Sequence, residues 1–259
     1  MNETGGKIIG VISVKGGVGK TTTVANLGAV LSNEFSVRCV VIDANVSVPN
    51  LGLHLNITEP EVTLQDILMD ENSSISDAVY EHDSGLHIVP TALSEVDVDL
   101  SLLKTKMRSL AKDYDVLIMD SSPGIGEEIR ATIDSSDELL IISSLDLPTL
   151  SATLKAIKLA NDLNTRITGV ILNRIMGVTF ELSIEEVKST LETPILAVIP
   201  EDPKVREALS TNMPVVLYAP KSPASREFRK LAAVLIGQEE PKKGFFFRVI
   251  DSVFKIFRK

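Results

Sequence analysis

"KIIGVISVKGGVGKTTTV" (residues 7–24) joins an apolar run to a glycine-rich turn and then to a helical pattern. The run 7–14 is continuous rather than alternating, which is typical of a strand buried on both faces of a parallel sheet. The glycines let successive backbone N–H groups converge on phosphate oxygens. A helix that opens at about Lys20 adds the partial positive charge of its N-terminus. The order strand, turn and helix predicts a phosphate-binding loop.

Individual residues of this loop have predicted roles. The Lys20 ammonium would reach the β- and γ-phosphates, and the Thr21 hydroxyl would ligate Mg²⁺. The loop is therefore expected to bind a nucleoside triphosphate together with Mg²⁺. A glycine-rich turn without a ligand is the alternative interpretation, but it would not require the lysine, threonine and helix to follow in order. The nucleotide-binding residues predicted here are Gly16, Gly17, Val18, Gly19, Lys20, Thr21 and Thr22.

Similar apolar runs recur along the chain and alternate with amphipathic stretches. This alternation predicts an α/β fold with a doubly wound, mostly parallel sheet of about seven or eight strands, flanked by helices. The strand runs are 7–14, 37–43, 85–90, 115–120, 138–143, 167–173 and 194–200. Helices are expected at 20–33, 100–111, 148–163, 183–191 and 222–236. In such sheets ligands sit at the carboxyl ends of the strands, so the loops there should carry the chemistry.

The phosphate loop has an unusual form. Val14 occupies the usual first glycine position, and a second lysine, Lys15, follows it. The form K-G-G-x-G-K-T resembles the deviant Walker A motif of the MinD/ParA family of P-loop ATPases. Further resemblance runs through 43–55, 115–128, 169–174 and 197–209. The segment "NLGLHL" and the absence of D-P-Q after the second strand are closest to archaeal-type MinD. The likeness covers nearly the whole chain to about residue 236.

This resemblance assigns a role to the extra lysine. In the family it crosses a dimer interface and touches the nucleotide of the partner, which implies that Lys15 is a catalytic residue of an ATP-dependent homodimer. A cation supplied in this way would stabilise charge on the transferring phosphoryl group. An ordinary solvated lysine on a loop is the alternative.

Three more strand ends carry candidate site residues. Asp120 ends the run "VLIMD" and resembles the family's Walker B acid, a metal ligand together with Thr21 and Asp43; alternatively it caps a turn. Asp43 resembles the first acid of the family's switch I pattern D-x-D, but Asn45 replaces the second. An amide orients water without accepting its proton, so we expect hydrolysis to be slow or altered. The catalytic candidates are Lys15, Lys20, Asp43 and Asn45. The residues that the resemblance gives to the adenine base are Asn173, Arg174, Pro200, Glu201 and Asp202.

Charge is distributed unevenly along the chain. The net charge is −9, but residues 242–259 carry six basic residues and one acid, a local +5, which leaves −14 for residues 1–241. An acidic body argues against DNA binding, since phosphate contacts need a basic face. One cysteine, Cys39, excludes a disulfide framework and favours a reducing cytoplasm. We expect an ATPase domain at 1–236, a linker at 237–243 and a separate helix at 244–259.

The last stretch, "KKGFFFRVIDSVFKIFRK", holds five of the eight phenylalanines. At 100° per residue its bulky apolar side chains fill one arc of a helix and its charged residues the other. This segregation suits an amphipathic helix lying in an anionic membrane surface. A terminal helix docked on the body and a partner-binding helix are the alternatives. The predicted membrane-contacting residues are Phe245, Phe246, Phe247, Val249, Ile250, Val253, Phe254 and Phe257.

Together these features predict an ATP-dependent dimeric switch at the inner face of the cell membrane. It would be cytoplasmic and peripheral, and it would position other machinery, such as division or motility structures, through an unidentified activator or cargo protein. One alternative is a nucleotide-binding membrane scaffold with little ATPase activity, which Asn45 would explain. A ParA-like DNA-partitioning ATPase is the other alternative, against which the acidic body argues.

Overall fold

The structure is a computed structural model that describes residues 5–92 and 98–238. Within these residues eight strands form one sheet in the order β3-β4-β2-β5-β1-β6-β7-β8. Neighbouring strands pair in parallel except β3 and β4, which are antiparallel. The expected mostly parallel sheet is thus confirmed. In chain order the strands are β1 Lys7–Ser13, β2 Cys39–Ala44, β3 Tyr80–Glu81, β4 His87–Val89, β5 Val116–Pro123, β6 Glu138–Ser143, β7 Arg166–Ile175 and β8 Ile195–Pro200.

Helices cover both faces of this sheet. The strand β1 illustrates why the runs are continuously apolar: Ile9 packs with α1 and α10 on one face, while Ile12 packs with α5, α6 and α7 on the other. A third cluster, with α3 and α4, extends that second face under β2 and β5. The helices are α1 Lys20–Asn33, α2 Leu51–His54, α3 Leu64–Met69, α4 Leu103–Leu110, α5 Glu127–Ser135, α6 Leu147–Asp162, α7 Ile184–Leu191, α8 Pro203–Leu209, α9 Val215–Tyr218 and α10 Pro223–Leu235.

Several helices begin where a short polar side chain can accept their first N–H groups. Thr63 and Asp66 form a capping box at α3, and Ser183 and Glu186 form one at α7. Asp146 caps α6 by accepting from Thr149 N. Such caps satisfy N–H groups that have no partner inside the helix. Helix α1 differs, because no described side chain caps it.

The expected boundaries need three corrections. Strand β5 continues to Pro123, so Asp120 lies inside a strand rather than at its end. The stretch 100–111 divides into a 3-10 turn at Leu100–Leu102 and then α4. Strand β3, which sequence patterns did not indicate, has two residues and is too short to form a recognisable run.

The predicted end of the body can be compared with the structure, whereas the predicted C-terminal helix cannot. Helix α10 ends at Leu235, close to the predicted end of the body at 236. The predicted amphipathic helix at 244–259 and its membrane-contacting residues lie outside the described residues, so that interpretation stays a prediction. Among residues 5–92 and 98–238, no helix is both long and apolar enough to cross a membrane.

Candidate nucleotide-binding site

The glycine-rich turn after β1 leaves the first N–H groups of α1 available. Gly17 and Gly19 have φ angles of +75° and +93°, a region that residues with a side chain rarely adopt. A Cβ atom on Gly19 would also collide with Asn173 Nδ2. Because no described side chain caps the helix, its N–H groups and its dipole can act on an anion. The local geometry is that of a phosphate-binding loop.

A cavity of about 490 Å³ opens beside this loop. Its wall includes residues from four separate segments of the chain that the sequence analysis assigned to the nucleotide site. Of those candidates, Lys15, Asp43 and Asp120 do not line it. The predicted residues that do line it are Gly16, Gly17, Val18, Gly19, Lys20, Thr21, Thr22, Asn45, Asn173, Arg174, Pro200, Glu201 and Asp202.

Two buried carboxylates lie side by side at the phosphate end of the cavity. Asp43 on β2 and Asp120 on β5 are register partners on adjacent strands, and neither is exposed to solvent. The Lys20 Nζ atom lies 3.5 Å from Asp120 Oδ1. Burial raises the pKa of Asp120, although the Lys20 charge opposes this shift. Burial and the charge of Asp120 raise the pKa of Asp43 to about 7, although three backbone hydrogen bonds to its carboxylate lower the pKa.

The Asp120 carboxylate of this pair fits a magnesium ligand. Both oxygens of Asp120 are buried without a hydrogen-bond partner among the described residues. Oxygen ligands suit Mg²⁺, which usually takes one or two carboxylates and completes its shell with water and phosphate. The described residues hold no cluster of three or more His, Cys, Asp and Glu, so phosphate and water would supply the other ligands. Asp120 and Thr21 would hold the ion; when bound, it neutralises charge on the phosphates.

The Asp43 carboxylate organises the loop that follows β2. It accepts hydrogen bonds from the backbone N–H groups of Asn45, Asn50 and Leu51, at 3.2, 3.0 and 2.9 Å. The last two belong to the start of α2, so Asp43 fixes residues 45–51 as a unit against the cavity. Asp43 therefore acts on the site by holding this loop in place. Any contribution that it makes to a metal ion would be made through the loop.

Lys15 turns toward its own chain in this structure. Its Nζ atom lies 3.2 Å from Asp146 Oδ1 and 2.7 Å from Thr149 Oγ1, at the start of α6. The lysine is half exposed, at 44% of its side-chain surface. It therefore stands at the rim of the site rather than inside the cavity.

The predicted base-binding residues are fixed by contacts to the phosphate loop and to each other. Asn173 Nδ2 donates to Val18 O at 2.7 Å, and Arg174 donates to Gly17 O at 3.1 Å. Arg174 also pairs with Glu201 at 2.9 Å. Asp202 behaves differently: its carboxylate accepts the N–H groups of Lys204 and Ala224 and so caps α8 and contacts the start of α10. Its carboxylate is engaged by these two backbone groups, and the residue lines the cavity, so its assignment to the base stays a prediction.

Sequence reasoning missed the helical wall of the cavity. It looked for site residues in loops, whereas α8 and α10 contribute side chains from their faces. The signal was present, since the apolar positions of "VREAL" (205–209) recur at helical spacing, but it equally fits packing on the core. In the segment after β2, His54 was also missed: its Nδ1 lies 2.9 Å from Asn50 O, and the residue lines the cavity. The missed lining residues are Ser13, Val48, Asn50, His54, Pro123, Ile199, Val205, Arg206, Leu209 and Phe228.

Comparison with known proteins agrees with this geometry. Residues 9–215 match the model of the CobQ/CobB/MinD/ParA nucleotide binding domain. An uncharacterized ATP-binding protein of Methanocaldococcus jannaschii is 33% identical over 255 residues, 95% of this chain and 96% of that protein. The cell division ATPase MinD of Pyrococcus furiosus superposes with a TM-score of 0.85 at 30% identity, over 90% of this chain and 100% of that one.

A second solved structure bears on the cofactor. The septum site-determining protein MinD of Pyrococcus horikoshii, complexed with Mg-ADP, superposes with a TM-score of 0.84 at 30% identity, over 88% of this chain and 95% of that one. The family match spans well over half of the chain, and the phosphate loop, the paired carboxylates and the cavity are all in place. The protein therefore belongs to the CobQ/CobB/MinD/ParA nucleotide-binding family, as an ATPase of the MinD/ParA type that uses ATP and Mg²⁺.

Proposed function

We propose that this ATPase is a nucleotide-dependent dimeric switch that binds the membrane surface through residues 244–259 and positions other cellular machinery. ATP would bridge two subunits, and the two C-terminal helices would then engage an anionic membrane together. Hydrolysis or loss of nucleotide would release the protein. This function goes beyond the family assignment in three steps: dimerisation, membrane binding and hydrolysis.

The observation that carries the proposal is an apolar rim beside the nucleotide cavity. Exposed apolar side chains follow four strands, three in the loops and one at the first residue of α6, at the carboxyl ends of the strands where the cavity lies. Exposed apolar residues grouped around a polar site are typical of an interaction surface. A second copy of the chain that docks here would cover the nucleotide and these side chains together. The rim residues are Val48 (63% exposed), Ile125 (56%), Leu147 (67%) and Phe180 (80%).

The membrane step rests on the sequence of the C-terminal stretch. Each basic residue near an anionic surface contributes about 1 kcal/mol, and the apolar arc adds buried area. The body carries −14 and would be repelled by the same surface, so attachment needs these residues. Two helices on one dimer bind with a high effective concentration, which makes the dimer bind far more tightly than the monomer.

Liposome sedimentation tests the switch. Full-length protein and a version truncated after Glu240 are mixed with anionic vesicles, in the presence of ADP or a non-hydrolysable ATP analogue. We expect strong pelleting of the full-length protein with the ATP analogue alone. Equal pelleting in all four tubes would contradict the switch. Vesicles without anionic lipid separate the charge contribution from the apolar one.

The scaffold alternative differs only in the hydrolysis step. An amide at position 45 orients water without taking its proton, which favours slow turnover. Phosphate release by the wild type and by Asn45→Asp decides between them: a slow wild type accelerated by the substitution supports the switch, and a silent wild type supports the scaffold. DNA retention at physiological salt would instead support a partitioning function, which the charge of the body disfavours.

A further inference from the structure

The amide of Asn45 offers one defined atom to the cavity. Its Nδ2 group donates to Val48 O, and its backbone N–H is held by Asp43. A carbonyl only accepts, so the nitrogen must be the atom that faces Val48. The other atom, Oδ1, is buried without a hydrogen-bond partner among the described residues. Asn45 lines the nucleotide cavity, and Oδ1 is the one acceptor of its side chain that no described group uses.

A contact from another element holds this turn in place. The Ser47 hydroxyl, two residues after Asn45, donates to Glu128 Oε1. Glu128 is in the first turn of α5, which follows β5 and the turn 124–126. That turn is itself tied to the phosphate loop, because Gly124 N donates to Val14 O at 2.9 Å. The Ser47–Glu128 contact therefore links residues 45–48 to a helix whose preceding turn is hydrogen-bonded to the phosphate loop.

Glu128 is also not an ordinary surface acid. Its Oε2 atom is buried without a hydrogen-bond partner among the described residues, whereas its neighbour Glu127 is exposed. Proteins rarely leave a buried carboxylate oxygen unpaired, and such atoms concentrate where function requires them. A surface contact that served only to fasten a loop would not need this burial.

We infer that Glu128 is a positioning residue for ATP hydrolysis, which acts through Ser47 to hold the free amide oxygen of Asn45 toward the attacking water. The inference rests on the hydrolysis step of the proposed function. Asn45 Oδ1 accepts a hydrogen bond from that water. The water oxygen bonds to the γ-phosphorus, and the bond from this phosphorus to the bridging oxygen breaks. The bridging oxygen leaves with the electron pair as part of ADP, and the water's proton goes to the released phosphate.

This arrangement explains how the site works without a second acid after β2. If hydrolysis depends mainly on positioning and electrostatics, an amide suffices provided that it cannot rotate away. Its nitrogen is fixed by Val48, and the turn that carries Val48 is fixed by Glu128. Glu128 therefore supports the amide from a distance and does not touch the reacting atoms.

Four variants of the full-length protein test the inference through steady-state phosphate release. We expect Ser47→Ala and Glu128→Ala each to lower kcat by about ten- to hundredfold, the scale of a small misplacement, with little change in KM or in ADP affinity. Glu128→Gln should recover most of the loss seen with alanine, because its amide oxygen still accepts from Ser47. Glu127→Ala, the matched control, should behave like the wild type.

Several outcomes would overturn the inference. These are equal rates for Glu128→Ala and Glu127→Ala, a glutamine variant as slow as the alanine one, or a Ser47→Ala, Glu128→Ala double variant much slower than either single variant. Should Glu128→Ala fail to fold, Ser47→Ala and Glu128→Gln still decide the matter. Pelleting with the ATP analogue separates this inference from the switch: Glu128→Ala should pellet like the wild type. If the variants show the expected rates but the wild type never pellets, the switch is refuted and the inference stands. If the wild type pellets and releases phosphate but Glu128→Ala is as fast as the wild type, the inference is refuted and the switch stands.

Discussion

Lys15 and Asp146 form an ion pair within a single chain, with 3.2 Å between Nζ and Oδ1. Asp146 is the N-cap of α6, and the hydroxyls of Ser144 and Thr149 donate to its other oxygen at 2.6 and 2.7 Å. Partial burial raises the pKa of Asp146, but these hydrogen bonds, that from Thr149 N and that from Lys15 together hold the pKa well below its usual range. In the proposed dimer Lys15 must reach the nucleotide of the partner, so it has to leave this acceptor first.

The first prediction concerns the cost of that release. Asp146→Asn keeps an oxygen that can cap α6 but removes the charge that holds Lys15. We expect the dimer that forms with a non-hydrolysable ATP analogue to tighten by about two- to thirtyfold, because two exposed ion pairs must open and each contributes only about 0.2–1 kcal/mol. Analytical ultracentrifugation over a range of protein concentrations measures the dissociation constant.

A matched substitution guards against a general charge effect in this first experiment. Glu185 is an exposed acid in the first turn of α7, so Glu185→Gln removes the same charge from a comparable helix start. It should leave the dissociation constant unchanged. A weaker or unaltered dimer in Asp146→Asn would mean that the ion pair does not compete with dimerisation.

The second prediction concerns the phosphate loop itself. Gly19→Ala places a methyl group against Asn173 Nδ2 at a φ of +93°, which a side chain tolerates poorly. Backbone strain of about 1–3 kcal/mol should weaken ADP binding by about ten- to hundredfold. Isothermal titration calorimetry measures the affinity. Gly126→Ala is the control, since its φ is −72° and a Cβ there would meet no described atom within 4 Å. Equal losses in both variants would show that the strain argument is wrong.

The third prediction is a pH dependence of stability in metal-free protein. The pKa of Asp43 is about 7 in the folded protein and 3.8 as an unperturbed group. Between these values the folded state binds a proton that the unfolded state has released, so this carboxyl lowers the free energy of unfolding as pH rises. The slope for one proton is at most about 1.4 kcal/mol per pH unit. Other carboxylates titrate too, so the informative quantity is a difference between two proteins.

Asp43→Asn supplies that difference for the pH prediction. With EDTA and no nucleotide, the variant should gain stability relative to the wild type as pH rises from about 5 to 8. Urea denaturation at several pH values gives both curves. Parallel curves over this range would show that Asp43 is already ionised at pH 5 in the folded protein.

Much of the fold could be predicted because its determinants are local. The run 7–14 and the turn 15–19 specify strand, loop and helix within twenty residues, and α1 begins at the residue expected, Lys20. Strand β5 shows the limit of such reasoning. "SSP" after Asp120 reads as a loop, yet these residues extend the strand to Pro123 because β1 and β2 lie beside them. Pairing partners distant in sequence decide where a strand stops.

The same distinction between local and distant determinants applies to the residues of the site. Backbone features such as the glycine turn are encoded locally and were predicted, whereas side-chain partners depend on tertiary placement. Lys15 was assigned to a partner subunit, and no local pattern indicated that Asp146, 131 residues away, would hold it. Likewise the resemblance gave Asp202 to the base, and no local pattern indicated that its carboxylate would cap α8 and accept the N–H of Ala224 in α10. A polar side chain at a strand end has several uses, and only its neighbours decide among them.

The last prediction concerns Asn26, which ties the phosphate-loop helix α1 to α9. Asn26 is buried on α1; its Nδ2 donates to Thr22 O at 2.8 Å, and its Oδ1 accepts from Val216 N at 3.0 Å. Asn26→Ala leaves the Val216 N–H of α9 buried without that acceptor. The free energy of unfolding should fall by about 1–3 kcal/mol in urea denaturation. Asn161→Ala, on the exposed side of α6, should change it by less than about 0.5 kcal/mol.

Saturating Mg-ADP separates a structural role of Asn26 from a role in binding. A ligand that binds only the folded state stabilises it by an amount set by its concentration and affinity. If Asn26 only joins α1 to α9, wild type and variant have the same affinity and gain equal stability, so their difference persists at every ADP concentration. A difference that widens with ADP would instead mean that the variant binds nucleotide less tightly. Asn26 would then belong to the machinery that orients the Thr21 and Thr22 hydroxyls toward the phosphates.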